Sequence, residues 1–215
     1  MIQCLHDARK GEIRLSEFTT HLYSGRAYTS EEIISFSQSP TTHFAQIDKE
    51  MQFHENVKHV QVSCLTQDEF DVFVRKYADN YASIYFFQNP KVKDLSALAC
   101  LRNVKYLLFY NFRTAKQLWD MSNNASLKGI LISESKGLVY DISAIANAPA
   151  LEEVLLFSNM DRKYTVKTLE PIMANKTLKR VMLECKTENG DFEPSDFSHL
   201  EVFLYRVDRH RNYRY

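Results

Sequence analysis

The chain is short of the residues that break regular structure, with five glycines and five prolines in 215 residues. So few leave no room for flexible linkers or low-complexity tracts, which need such residues in clusters. Charge of one sign is missing too, since 27 basic residues balance 27 acidic ones. A chain that neutralises many phosphates carries a basic excess, so nucleic acid is disfavoured as the main partner. No run approaches the roughly 18 apolar residues of a membrane span, which excludes the membrane as a partner. The start, Met1-Ile2-Gln3-Cys4-Leu5-His6-Asp7, lacks the basic and then apolar order of a secretory leader, so the expected location is the cytoplasm. The four cysteines, Cys4, Cys64, Cys100 and Cys185, form no close pairs and no metal spacing, which suits reduced thiols. Phosphate loops, Gly-rich cofactor turns, nucleophile elbows and His-Glu-x-x-His are also absent. The chain therefore reads as non-catalytic, with no cofactor and no metal.

What the sequence does contain is a repeat. Apolar residues are 45% and charged residues 25%, the balance of a soluble globular protein. Six segments place apolar residues at their first, fourth and sixth positions. They are Val57-Val60-Val62, Tyr81-Ile84-Phe86, Val104-Leu107-Phe109, Leu127-Ile130-Ile132, Leu151-Val154-Leu156 and Leu178-Val181-Leu183, and Leu200-Phe203-Tyr205 closes the series. Successive starts lie 24, 23, 23, 24, 27 and 22 residues apart. The connectors repeat as well: nine and six places before a start stand Leu95 and Leu98, Leu118 and Met121, Ile142 and Ile145, Leu169 and Ile172. Asp94-Leu95-Ser96-Ala97-Leu98 and Asp141-Ile142-Ser143-Ala144-Ile145 are nearly one string, each led by an Asp suited to accept a backbone N–H bond. The ninth place is Asn in Asn89 and Asn159, and Leu65, Phe112, Ser135 and Lys186 elsewhere.

Leu-x-x-Leu-x-Leu-x-x-Asn followed by a short apolar connector resembles the leucine-rich repeat family, and the 22–24-residue period resembles the short repeats of bacterial internalins. The resemblance covers residues 57–205. It implies an α/β solenoid with a parallel sheet on the concave face, short helical or irregular return segments and an N-terminal cap. Residues 57–205 then form about seven strands, 1–56 the capping subdomain and 206–215 a C-terminal tail. Within 1–56, Ser30-Glu31-Glu32-Ile33-Ile34 reads as a capped helix start, and Phe44, Ile47, Met51 and Phe53 as apolar contacts sealing the first repeat.

In such a repeat, places two, three, five, seven and eight face the concave side. The fifth place reads Gln61, Tyr85, Leu108, Leu131, Leu155, Met182, Leu204, six of seven large and apolar. The seventh place adds Phe87, Tyr110 and Phe157, and the third adds Tyr106. An apolar stripe on a face of this kind marks an interaction site, with aromatic anchors as its energetic centres. Three readings remain: docking of another protein, self-association as a homodimer or scaffold, and cover by the chain's own ends.

Other residues carry less. His59 and Cys64 are two ligands where zinc wants three or four. Cys64 and Cys185, five repeats apart, are separated by about 24 Å of stacking and cannot be bridged. Cys100 reads as a small core residue. Glu152 and Glu153 face Lys179 and Arg180 on the next strand and are expected to form ion pairs. Arg206 to Tyr215 is basic with interleaved tyrosines, a composition open to nucleic-acid contact, although a solvated terminus is the simpler reading.

Overall fold

A computed structural model describes residues 33–37, 59–157, 164–189, 192–208 and 211–214, the first segment and residues 206–214 through the backbone. Eight parallel strands follow one another across a single sheet: β1 (Ile33–Ser37), β2 (His59–Ser63), β3 (Ser83–Phe87), β4 (Tyr106–Tyr110), β5 (Gly129–Ser133), β6 (Glu153–Phe157), β8 (Arg180–Thr187) and β9 (Val202–Asp208). A short β7 (Tyr164–Val166) pairs with the end of β8, and β10 (Arg211–Arg214) runs antiparallel to β9. The return segments hold α1 (Gln67–Lys76), α2 (Glu170–Ala174) and several single 3-10 turns. The protein is thus of the α/β class.

From β2 to β9 the strands occupy the third to seventh places of the repeat and pair in register, with Val60, Ile84, Leu107, Ile130, Val154, Val181 and Phe203 forming one row. Side chains alternate across a strand, so the fourth and sixth places share one face of the sheet. On that face they pack with the first-place residues from Tyr81 to Leu178 and with all eight connector residues into one core. Phe86 stacks on Phe109 with centroids 5.5 Å apart, and Phe109 meets Trp119 at 5.7 Å. The 27-residue interval between the starts at Leu151 and Leu178 accommodates β7, and β8 lengthens to meet it.

One expectation changes here. Residues 30–34 do not begin a helix along their whole length, because Ile33 opens β1, which pairs in parallel with β2. Ile34 stands opposite Val60 and Phe36 opposite Val62, so the repeat continues one strand earlier than the apolar pattern indicates. Its first place is Glu31, 26 residues before Val57, and that charge hides the strand from a search for apolar starts. In the tail, residues 202–208 and 211–214 form a backbone hairpin at the sheet's edge. Phe44, Ile47, Met51, Phe53, Val57 and Asn159 lie outside the described residues.

The turns settle their buried polar groups with side-chain clamps. Leu65 N–H donates to Asn89 Oδ1 at 2.8 Å, and Asn89 Nδ2 donates to Val62 O at 3.0 Å. Ser135 Oγ accepts from Phe112 N–H at 2.9 Å, and Asn124 Nδ2 donates to Leu98 O and Leu101 O at 2.9 Å each. Asn175 Nδ2 does the same for Ile145 O and Ala148 O. These clamps flank β3, β5 and β8 and grip the strand before, whereas Leu101, Phe112 and Ala148 stand at the matching places around β4 and β6. A buried backbone group left unpaired costs about 1–3 kcal/mol, which is why polar residues persist in so apolar an interior. Asp94 and Asp141 accept from Ser96 N–H and Ser143 N–H at 2.8 and 2.9 Å, as their near-identical strings predict.

Candidate binding face

The third, fifth and seventh places share the opposite face of the sheet. Gln61, Tyr85, Leu108, Leu131, Leu155, Met182 and Leu204 pair strand to strand as one continuous row. Leu108, Leu131, Leu155, Phe157 and Met182 form an apolar cluster separate from the main core, with Tyr85, Tyr106 and Leu204 packed against it. The residues singled out from the sequence are therefore brought together.

Their accessibility divides them. Leu108, Leu131, Leu155, Phe157 and Met182 are 1–9% exposed, so they are withdrawn from a partner in the chain as it stands. β5 and β6 are buried at every position, on both faces. Tyr85, Phe87, Tyr106, Tyr110 and Leu204 remain half-buried. The accessible part of the row thus concentrates on β3 and β4. There Phe87 stacks on Tyr110 with centroids 5.2 Å apart and planes 14° apart, and Tyr85 stands at 64° to Phe87 at 5.5 Å. Burial, reinforced by the neighbouring Tyr110, pushes the Tyr85 phenol up to about 12, so it remains a hydrogen-bond donor at any physiological pH.

Ser133, at the seventh place of β5, lies opposite Tyr110 on one side and Phe157 on the other. Its hydroxyl is buried and has no hydrogen-bond partner among the described residues. Sequence reasoning passed over it because one serine in an aromatic row carries no periodic signal.

Ion pairs flank the row at the second and third places of β6 and β8. Arg180 Nη1 lies 3.3 Å from buried Glu153, and its Nη2 lies 2.8 Å from Glu201. Glu152 meets Lys179 at 2.8 Å and Lys128 at 3.2 Å. The hydrogen bond from Lys179, with Lys128 adding to it, holds the Glu152 carboxyl below its ordinary value against the opposing effect of burial. The expected cross-strand pairs are present, and nothing about them requires a reaction.

The cysteines behave differently from their shared place in the repeat. Cys64 sits in a left-handed turn at φ 59° and is exposed, whereas Cys185 continues the long β8 and is buried. Desolvation pushes the Cys185 thiol up to about 12. Cys100, expected in the core, is exposed, because its 3-10 turn directs Leu98 and Leu101 inward instead. His59 Nδ1 lies 2.9 Å from Ser83 Oγ. Among the described residues no group of three His, Cys, Asp or Glu is placed to hold a metal, and no helix is long and apolar enough to cross a membrane.

Compared with known proteins, the chain matches no family model, no curated protein and no solved structure.

Proposed function

We propose that this chain is a leucine-rich-repeat-type solenoid that performs no chemistry of its own and holds a partner protein against its third-, fifth- and seventh-place face. The observation that carries the reading is the half-buried aromatic group of Tyr85, Phe87, Tyr106 and Tyr110, presented by two adjacent strands beside a buried leucine floor. Large rigid rings of this kind lose little conformational entropy on docking and supply the anchors of an interface.

Self-association through the same row has less to recommend it. Leu131 and Leu155, the residues such a contact would need most, are already buried within one chain. The basic C-terminal segment supplies no comparable observation, since its described part is a backbone hairpin.

The test compares wild type with Tyr85→Ala/Tyr110→Ala in quantitative affinity capture from the source cell. Recovery of the bound protein should fall at least tenfold while circular dichroism stays unchanged. Equal recovery by a folded double variant overturns this placement of the site.

A further inference from the structure

Asn-x-Ser/Thr, the acceptor sequence for N-linked glycans, occurs at Asn124-Ala125-Ser126 and at Asn175-Lys176-Thr177. On a glycosylated protein such a sequence belongs in a surface loop, because the glycan is bulky and hydrated. Here both asparagines stand just before a repeat start, Leu127 or Leu178, and they are only 3% and 4% exposed.

Neither amide has a hydrogen to spare. Asn124 Nδ2 donates to Leu98 O and Leu101 O at 2.9 Å each, while its Oδ1 accepts from Trp119 Nε1 at 2.7 Å. Asn175 Nδ2 donates to Ile145 O at 2.6 Å and to Ala148 O at 3.0 Å, and its Oδ1 accepts from Thr177 N–H at 2.9 Å. Thr177 also fixes this amide through its hydroxyl, whose Oγ1 lies 2.7 Å from both Asn175 Oδ1 and Leu151 O. In the second sequence, the residues that would direct a glycan are the ones that build the clamp.

N-glycan transfer breaks one N–H bond of Nδ2 and joins that nitrogen to the anomeric carbon of a lipid-linked oligosaccharide. The lipid diphosphate leaves, and the proton goes to solvent. One carbonyl of each gripped pair would then lose its donor inside the core, where buried acceptors need one. The sugar would also need space beside Leu98, Leu101 and Trp119, or beside Ile145 and Ala148, all of which are buried. A close-packed interior has no such space. Transfer acts on chains that have not yet folded, so burial in the finished fold gives no protection.

We infer that this chain folds only where N-glycans are not transferred, because a glycan on Asn124 or Asn175 excludes the native interior. The thiols agree independently: Cys64 and Cys100 are exposed and unbridged, which suits a reducing compartment. The inference goes beyond the protein-recognition reading and does not rest on it. It restricts any partner to the proteins of that same compartment.

The experiment translates the full chain behind a cleavable leader with endoplasmic-reticulum microsomes, with or without a competing Asn-Tyr-Thr acceptor tripeptide. Without competitor, the translocated chain should carry a glycan on both asparagines. After detergent lysis, proteinase K should digest it about tenfold faster than the chain made with competitor. The competed chain should be as resistant as chain translated without microsomes. Ser126→Ala, which removes the first acceptor sequence, should leave one glycan and a chain that is still readily digested. Equal resistance of the glycosylated and competed chains overturns the inference, as does a translocated chain that becomes resistant without acquiring a glycan in the absence of competitor. Equal digestibility of the two translocated forms overturns it as well, since the glycan would then not be the cause.

Discussion

β3–β4 and β6–β8 are built on the same register, yet their odd-place faces meet opposite ends. On β3 and β4 the rings of Tyr85, Phe87, Tyr106 and Tyr110 stay half-buried and uncharged. On β6 and β8, Leu155 and Phe157 are buried, and Glu153 is buried beside Arg180. The pleat decides which residues share a face; whether that face is stability or surface depends on what else lies against it. One half of the row is buried within the chain, and the other half remains half-buried at its surface.

The largest effect that sharpens this contrast is a pair of truncations. Leu155→Ala should cost about 3 kcal/mol in urea unfolding, since it empties a site that is 1% exposed. Tyr85→Ala should cost about 1 kcal/mol, because its ring is only partly buried and leaves no closed cavity. Equal losses would erase the distinction between the two halves. Next in size, Arg180→Met should cost about 2 kcal/mol by stripping buried Glu153 of an ionic partner. Glu153→Gln combined with Arg180→Met should recover most of that loss in the same measurement, and additive losses would argue against coupling.

The smallest effect is electrostatic. Glu152 has a lowered carboxyl in the folded chain, so its stabilisation is present above the unfolded value of about 4.3 and is lost as pH falls through the folded one. Glu152→Gln should therefore cost about 0.5 kcal/mol at pH 7 in low salt, a figure reduced by its partial exposure. The difference should vanish near pH 3 and in 1 M salt, as followed by thermal unfolding. A penalty that persists at both limits would assign Glu152 a packing role instead.

Most of the strand register was legible because the first, fourth and sixth places are apolar through seven successive repeats. β1 was not, since Glu31 occupies the place where the pattern needs an apolar residue. α1 was legible in principle: Thr66 and Glu69 form a capping box, with Thr66 N–H donating to Glu69 Oε2 at 2.8 Å. Its residues stand in the longest-helix return, where the repeat alone predicts only a short connector. The double-sided burial of β5 and β6 is the instructive case. Ile130-Leu131-Ile132 and Val154-Leu155-Leu156-Phe157 are unbroken apolar runs, and such runs mark either an exposed docking stripe or a strand covered on both sides. Local sequence does not separate the two, because the difference lies in residues distant along the chain.

The asparagine clamps have a consequence for how a chain like this can change length. Asp94 and Asp141 open their near-identical strings 47 residues apart, which is the span of two strands with their returns. Asn124 and Asn175 each serve the strand that follows one of those strings. The two amides reach carbonyls 26 and 30 residues earlier along the chain. Removing a single strand with its return would part these donors from their acceptors, so a change of length is felt one return away.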